Sequence, residues 1–298
     1  MAKYVVTGSS GRIGRAIHFT LSRNHEVVGV DVTPASSTTL ISDICDEDQL
    51  KRAFHGADAV FHCAALHAPH VGLKSDEEFQ RINVRGTECV IDGAKAEGVP
   101  QIIFTSTTAL YGDASNLENR AAWITEETEP HPRTIYHRSK IHAEALLRDA
   151  ASSQLNIKVI RMSRSFPEPA PVMATYRLHR GVDARDVADA HLAALKDTGR
   201  AFDTYVISGQ TPFLADDAHA LKTDAASVIR ERAPSLAKLF DLHNWALPTS
   251  IDRVYAPTKA AKVLSWKSKY DFREVLHQLE KCNSEVLPPD ACGSKVEE

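Results

Sequence analysis

The sequence predicts an α/β fold in which helices cover both faces of a parallel sheet, and three observations carry that prediction. Short apolar runs rich in β-branched residues alternate with longer amphipathic stretches from residue 3 to about 160. The runs are hydrophobic at nearly every position, as strands buried on both faces are. The first of them ends in a glycine-rich turn that opens a helical stretch.

Strands are expected at 4–7, 26–31, 40–42, 59–63, 101–105 and 158–161, with a later one at 204–207. Helical patterns cover 12–23, 47–54, 76–97, 135–152 and 185–196, and right-handed crossovers place them on alternate sides of the sheet. After Arg161 the alternation weakens, and 165–171 is too proline-rich for regular structure, so a small C-terminal substrate lobe is expected to begin there. Residues 215–240 read as helical segments interrupted at Pro234, and 271–281 as a closing helix. The expected organisation is a dinucleotide-binding unit over 1–161, a mixed region over 162–283 holding the lobe and returning α/β elements, and a flexible tail over 284–298.

Composition narrows the function. With 298 residues, 43% of them apolar and 25% charged, the chain has the make-up of an ordinary globular protein and room for a sizeable core. A formal charge of -4 gives no broad attraction to phosphate backbones or anionic lipids, which argues against nucleic acid as a partner. No stretch approaches the roughly 20 apolar residues of a membrane helix, and Met1-Ala2-Lys3 leads straight into Tyr4-Val5-Val6 without room for a secretory leader. Cys45, Cys63, Cys89, Cys282 and Cys292 are widely spaced, without a C-x-x-C pair, and read as reduced thiols of a cytoplasmic protein.

The turn Gly8-Ser9-Ser10-Gly11-Arg12-Ile13-Gly14 follows the first strand. Glycines so spaced permit a tight turn, close approach of backbone to a pyrophosphate, and close packing of helix on strand; Gly8, Gly11, Arg12, Ile13 and Gly14 become candidate cofactor contacts in a Rossmann-type doubly wound parallel sheet. The helix start adds free N–H groups for the phosphates. Asp31 ends the second strand, seventeen residues past the last glycine, where a carboxylate accepts both adenosine ribose hydroxyls and repels a 2'-phosphate, favouring NAD over NADP. Asp43 and Ile44 could reach the adenine edge, although an aspartate there also reads as a helix cap.

Tyr136 and Lys140 stand four apart at the start of a predicted helix and share a face. A fixed ammonium favours phenolate and lowers a tyrosine pKa toward the working range of a general base. The preceding strand end, 104–112, presents a cluster of hydroxyls, one of which can hold a substrate oxygen for proton transfer. His62, His67 and His70 lack the carboxylate or cysteine spacing of a metal site and are expected to border the cleft or solvent, so no metal is expected.

Taken jointly, Thr7-Gly8-x-x-Gly11-x-x-Gly14, Asp31, Ala64-Ala65, Asn83-Val84-x-Gly86-Thr87, Tyr111-Gly112 and Tyr136-x-x-Ser139-Lys140 resemble the NAD-dependent epimerase/dehydratase group of extended short-chain dehydrogenases. The likeness continues through Arg161, Gly181-Val182-Asp183-x-x-Asp186-Val187-Ala188 and the segment 260–266. The resemblance implies NAD as cofactor, Thr107 as the hydroxyl of the catalytic triad with Ser106 as its neighbour, Tyr136 as acid/base, and Lys140 as a residue that also holds the nicotinamide ribose. It further implies cofactor contacts at Ala64 and Ala65, a nicotinamide contact at Phe166, and a homodimer through the two long helices. Where the family usually has asparagine, this chain has His62.

Only twenty residues separate Arg161 from Val182, which suggests a substrate smaller than a nucleotide sugar. The stretch 161–169 is similar to uronate dehydrogenases, in which a downstream arginine binds the sugar carboxylate; Arg164, Arg177 and Arg180 are candidates for such a clamp, Arg177 first. Thr108 is a further candidate substrate contact, standing where those enzymes have asparagine. The expected function is an NAD-dependent oxidoreductase acting on a secondary alcohol of a sugar-like or sugar-acid substrate. The alternatives are a nucleotide-sugar 4-epimerase and, from another class, a non-catalytic dinucleotide sensor.

Overall fold

Val5, Val6, Val60, Phe61, Ile102 and Ile103 are all fully buried, as expected of strands covered on both faces. The computed structural model describes residues 1–291. In chain order it contains β1 (Lys3–Thr7), α1 (Arg12–Leu21), β2 (Glu26–Asp31), β3 (Leu40–Ile41), α2 (Glu47–Phe54) and β4 (Ala59–His62). Then come α3 (Asp76–Phe79), α4 (Gly86–Ala96), β5 (Gln101–Thr107), β6 (Ala122–Ile124), α5 (Ile135–Ala150), β7 (Asn156–Met162), α6 (Ala170–Tyr176), α7 (Ala184–Leu195) and β8 (Phe202–Ile207). The last elements are α8 (Ala218–Thr223), α9 (Ala225–Arg232), α10 (Pro234–Leu242), β9 (Arg253–Tyr255), α11 (Thr258–Val263) and α12 (Phe272–Glu280).

Seven strands form the main sheet in the order β3-β2-β1-β4-β5-β7-β8, each pairing parallel with its neighbour. The chain winds outward from β1 to β3, then returns to β4 on the other side of β1. The loops leaving β1 and β4 therefore part, and a crevice opens at their carboxyl ends. One hydrophobic core lies under α2, α4 and α5, including Leu50, Phe54, Val90 and Leu147, and a second lies under α1 and α7, including Ile17, Leu21, Val187 and Tyr205.

A third core makes the lobe. It joins Ala170, Met173 and Leu178 to Leu221, Ile229, Leu236 and Phe240, and to Val254, Phe272 and Val286. A short parallel pair, β6 with β9, runs through it, and Ala121 and Trp123 join its packing from inside the first 161 residues. Strands this short carry no period and were not expected from the sequence. Pro234 opens α10, at a helix start where its missing N–H costs nothing.

Three expectations need correction. The long helix at 76–97 is interrupted by a π-helical stretch, Gln80–Arg85, between α3 and α4. The proline-rich segment becomes helical earlier than expected, because Pro171 occupies the first turn of α6, where proline is tolerated. The tail does not detach at 284: Leu287 N donates to Glu168 O at 2.9 Å, Ala170 N donates to Leu287 O at 3.1 Å, Val286 is buried in the lobe, and Glu285 pairs with Arg12. Cys292 and the remainder of the expected tail lie outside the described residues. No helix among the described residues is long and apolar enough to cross a membrane.

Candidate active site

A cavity of about 600 Å³ opens at the carboxyl ends of β1, β2, β4, β5 and β7, and nearly all of the sequence-predicted site residues line it. At one end lies the glycine turn. Gly8 has φ +70°, and a Cβ there would stand 2.6 Å from Ala64 N; a Cβ on Gly14 would stand 2.0 Å from Gly8 O. The turn is thus shaped by the absence of side chains. Gly11 precedes α1 without a side-chain cap, leaving the first-turn N–H groups for an anion. Asp31 ends β2 at the cavity wall, accepting from Ser10 N at 3.0 Å and Thr33 N at 2.9 Å.

Asp43 and Ile44 line the neighbouring wall. Burial would raise the Asp43 pKa, but hydrogen bonds from Cys45 N and Arg81 outweigh it and hold the carboxyl below its usual range. Arg81, 2.9 Å from Asp43 and also on the wall, was missed in the sequence because its partner is 38 residues away. His62 is not at the cleft rim. Fully buried, it hydrogen-bonds Thr7 at 2.8 Å and Thr87 at 3.0 Å, tying β1 and β4 to α4. Burial, with Lys140 next, pulls its pKa down to about 3, so it is a neutral structural bridge.

At the other end β5 delivers its hydroxyls. Ser106 donates to Glu144 at 2.6 Å, whereas Thr107 Oγ accepts from Ala109 N at 3.0 Å and lines the cavity with Thr108. The committed bond of Ser106 leaves Thr107 as the better-placed hydroxyl. Tyr136 and Lys140 rise from the first turns of α5, which Thr134 caps by accepting from His137 N. Tyr136 packs with Phe79, Ile135, Leu66, Ala68 and Ala109. Lys140 is 2% exposed, donates to Thr105 O at 2.7 Å and lies 3.8 Å above the Phe104 ring. Burial pulls its pKa down to about 7, with Glu144 and Cys63 opposing. Lys140 is therefore not the permanently charged ammonium that its spacing from Tyr136 predicts.

Ser139 does not face the cavity. Its Oγ donates to Tyr136 O at 3.0 Å and accepts from Asn83 Nδ2 at 2.9 Å. Asn83 sits in the π-helical stretch and reaches across to the loop after β4, a connection no sequence period reveals.

Ala64, Ala65 and Phe166 line the cavity, and Arg164 lines it while paired with Glu168. Arg177 does not reach it. Its guanidinium is buried 3.1 Å from Asp183, the cap of α7, and serves the junction between lobe and sheet. Arg180, three residues on, does line the cavity, over the Tyr176 ring at 4.8 Å and 3.9 Å from Asp252. The sequence signal for an arginine was present, but the turn after α6 decides which one faces the cleft. His67 and His70 also line the wall.

The family model described as NAD dependent epimerase/dehydratase matches residues 4–168, more than half of the chain. Among curated proteins, an L-arabinose 1-dehydrogenase (NAD(P)(+)) of Haloferax volcanii is 32% identical over 155 residues, 49% of this chain and 60% of that protein. A UDP-glucose 4-epimerase of Streptomyces lividans is 27% identical over 163 residues, 51% of this chain and 48% of that protein. The chain thus spans about half the length of the curated relatives it matches. Among solved structures, a UDP-glucose 4-epimerase of Thermotoga maritima superposes with a TM-score of 0.69 at 20% identity, over 94% of this chain and 99% of that one, a likeness of fold.

Proposed function

Because the chain belongs to the NAD dependent epimerase/dehydratase family, we propose that it is an oxidoreductase that moves a hydride between the nicotinamide and a secondary alcohol or ketone of a sugar-like or sugar-acid substrate. The observation that carries this reading is one cavity with a glycine turn and Asp31 at one end and Thr107, Tyr136 and Lys140 at the other. The residues present fit the cofactor: a side chain at Gly8 or Gly14 would fill the turn that a pyrophosphate must approach. Gly11, Arg12 and Ile13 would hold the phosphates at the start of α1, Asp31 would take the adenosine ribose, Asp43 and Ile44 would meet the adenine, and Ala64, Ala65 and Phe166 would serve the nicotinamide end. When bound, NAD supplies the hydride acceptor or donor.

Tyr136 takes the hydroxyl proton in oxidation and returns it in reduction, and Thr107 orients the same oxygen. Lys140 holds the nicotinamide ribose and, when protonated, favours the phenolate. Thr108, Arg164 and Arg180 border the substrate, and the short connection of twenty residues between Arg161 and Val182 favours a small one.

A second reading, a nucleotide-sugar 4-epimerase, is favoured by the full-length likeness of fold to an epimerase. NADH absorbance with purified protein, NAD and a panel of uronic acids, aldoses and UDP-sugars, followed by chromatography of products, separates the two. Net NADH with a small sugar supports the dehydrogenase, while an epimerised UDP-sugar without net NADH supports the epimerase. Tyr136→Phe is expected to abolish turnover and leave NAD binding intact; near-normal activity in that variant would overturn the mechanism.

A further inference from the structure

The helix α1 opens without a side-chain cap and without an acidic residue in its first turn, and Arg12 is its first residue. Its own sequence thus offers only positive charge to the region assigned to the phosphates. The carboxylate that meets Arg12 comes from the other end of the chain, where Glu285 forms an ion pair with its Nη2. Burial lowers the Arg12 pKa, and Glu285 is the chief charge opposing that, with Asp183 next.

The segment that carries Glu285 is held by few contacts. Asn283 N donates to Gln278 O at 2.9 Å, and Asn283 Oδ1 accepts from Glu285 N at 3.1 Å. Val286 is buried in the lobe, and Leu287 exchanges backbone hydrogen bonds with Glu168 O at 2.9 Å and Ala170 N at 3.1 Å. Glu168 in turn pairs with Arg164 on the cavity wall. Residues 283–287 therefore form a strap from the phosphate turn to the loop that bears Arg164. Solvent reaches the ion pair that fastens one end, the Arg12 and Glu285 side chains being 21% and 40% exposed. Such pairs contribute little to stability, so a second anion can exchange for the carboxylate at small cost.

We propose that Glu285 is an autoinhibitory residue that competes with the dinucleotide pyrophosphate for the Arg12 guanidinium, so that binding of the dinucleotide loosens the strap. This names a regulation of the cofactor site and rests on the assignment of Arg12 to the phosphates. A guanidinium takes a carboxylate and a phosphate through the same fork of N–H donors, and a carboxylate left beside the phosphates repels them. Cofactor affinity is accordingly set in part by the C-terminal segment, and cofactor occupancy reaches Glu168 and Arg164 through Leu287.

Calorimetric titration of NADH into wild type, Glu285→Gln, Arg12→Met and the double variant reads the competition without turnover. Glu285→Gln should bind NADH about tenfold more tightly at low salt, with the difference shrinking as salt screens the charge. Arg12→Met should bind NADH more weakly, and in that background Glu285→Gln should add little. Hydrogen exchange read by mass spectrometry should show residues 283–291 exchanging faster when NADH is bound to the wild type, and as fast in Glu285→Gln without it. Binding by Glu285→Gln no tighter than wild type, an equal increase in both backgrounds, or protection of the strap by NADH would overturn the proposal. Weaker binding by Arg12→Met with no change in Glu285→Gln leaves Arg12 at the phosphates and removes Glu285 alone. Unchanged binding in both removes Arg12 from the cofactor site as well.

Discussion

Replacing Glu144 by glutamine removes one negative charge from the interior with almost no change in volume. The carboxylate, on α5, accepts from Arg161 Nε at 3.1 and 3.2 Å, from Arg161 Nη2 at 2.6 Å and from Ser106 Oγ at 2.6 Å. The two side chains are 4% and 8% exposed, so solvent is poorly placed to replace a lost partner. Burial works against the Arg161 cation, and the hydrogen bonds and charge of Glu144 more than offset it, so the arginine pKa is raised. In the variant, Arg161 keeps the neutral Tyr111 hydroxyl at 3.1 Å, which cannot balance its charge.

Breaking a buried ion pair from one side costs about 3–5 kcal/mol. With an unfolding entropy of about 2.1 cal/mol/K per residue, a chain of 298 residues should lose about 5–8 °C of Tm. Scanning calorimetry of wild type, Glu144→Gln, Arg161→Met and Glu144→Leu/Arg161→Met measures it. Each single variant should fall by about that amount, and the double variant should recover much of the loss because no buried charge is left without a partner. A Glu144→Gln protein that melts with the wild type, or a double variant as unstable as both single losses added, would refute the reasoning.

Three further outcomes are expected. Asp31→Ala should relax the preference for NAD over NADP, read as the ratio of kcat/KM for the two cofactors; unchanged selectivity removes Asp31 from the ribose site. Gly14→Ala places a Cβ 2.0 Å from Gly8 O, and calorimetric titration should show NAD affinity falling by at least tenfold together with a lower Tm; wild-type NAD affinity would contradict the geometry. For Lys140, the native pKa of about 7 lies below its ordinary 10.5, so the unfolded chain binds the proton that the native state releases. Denaturation across pH should show wild-type stability rising relative to Lys140→Met between pH 7 and 10.5; a flat difference would mean that Lys140 stays charged in the fold.

What the sequence disclosed depended on how far apart the cooperating residues lie. The glycine turn and the Tyr136–Lys140 pair are local: fixed spacing on one turn or one helix carries both, and both sit on the cavity wall. The strands of the main sheet were legible because burial on both faces imposes apolar runs. Relations across the fold left no such mark. The bond of Arg81 to Asp43, the bridge of His62 between Thr7 and Thr87, and the pairing of Arg12 with Glu285 join segments that share no periodicity. Arg177 and Arg180 are equivalent by residue type, and the turn after α6 sets Arg177 against buried Asp183 and Arg180 on the cavity wall. The tail misled because its prolines suggest irregularity, and irregular chain can still dock through backbone hydrogen bonds and one buried valine.

The composition of the lobe bears on how the chain acquires its structure during synthesis. The strands β1 to β5 occur in order along the chain and can assemble while later residues are still being added. The lobe core cannot, because Ala121 and Trp123 must wait for Ile229, Val254 and Val286. Closing contacts over such separations is slow, and an incomplete chain meanwhile exposes apolar surface. A fragment cut at 161 would therefore lack β8 at the sheet edge and leave Trp123 without its packing partners. Sheet and lobe are thus interleaved in sequence, and the lobe closes only when the chain is nearly complete.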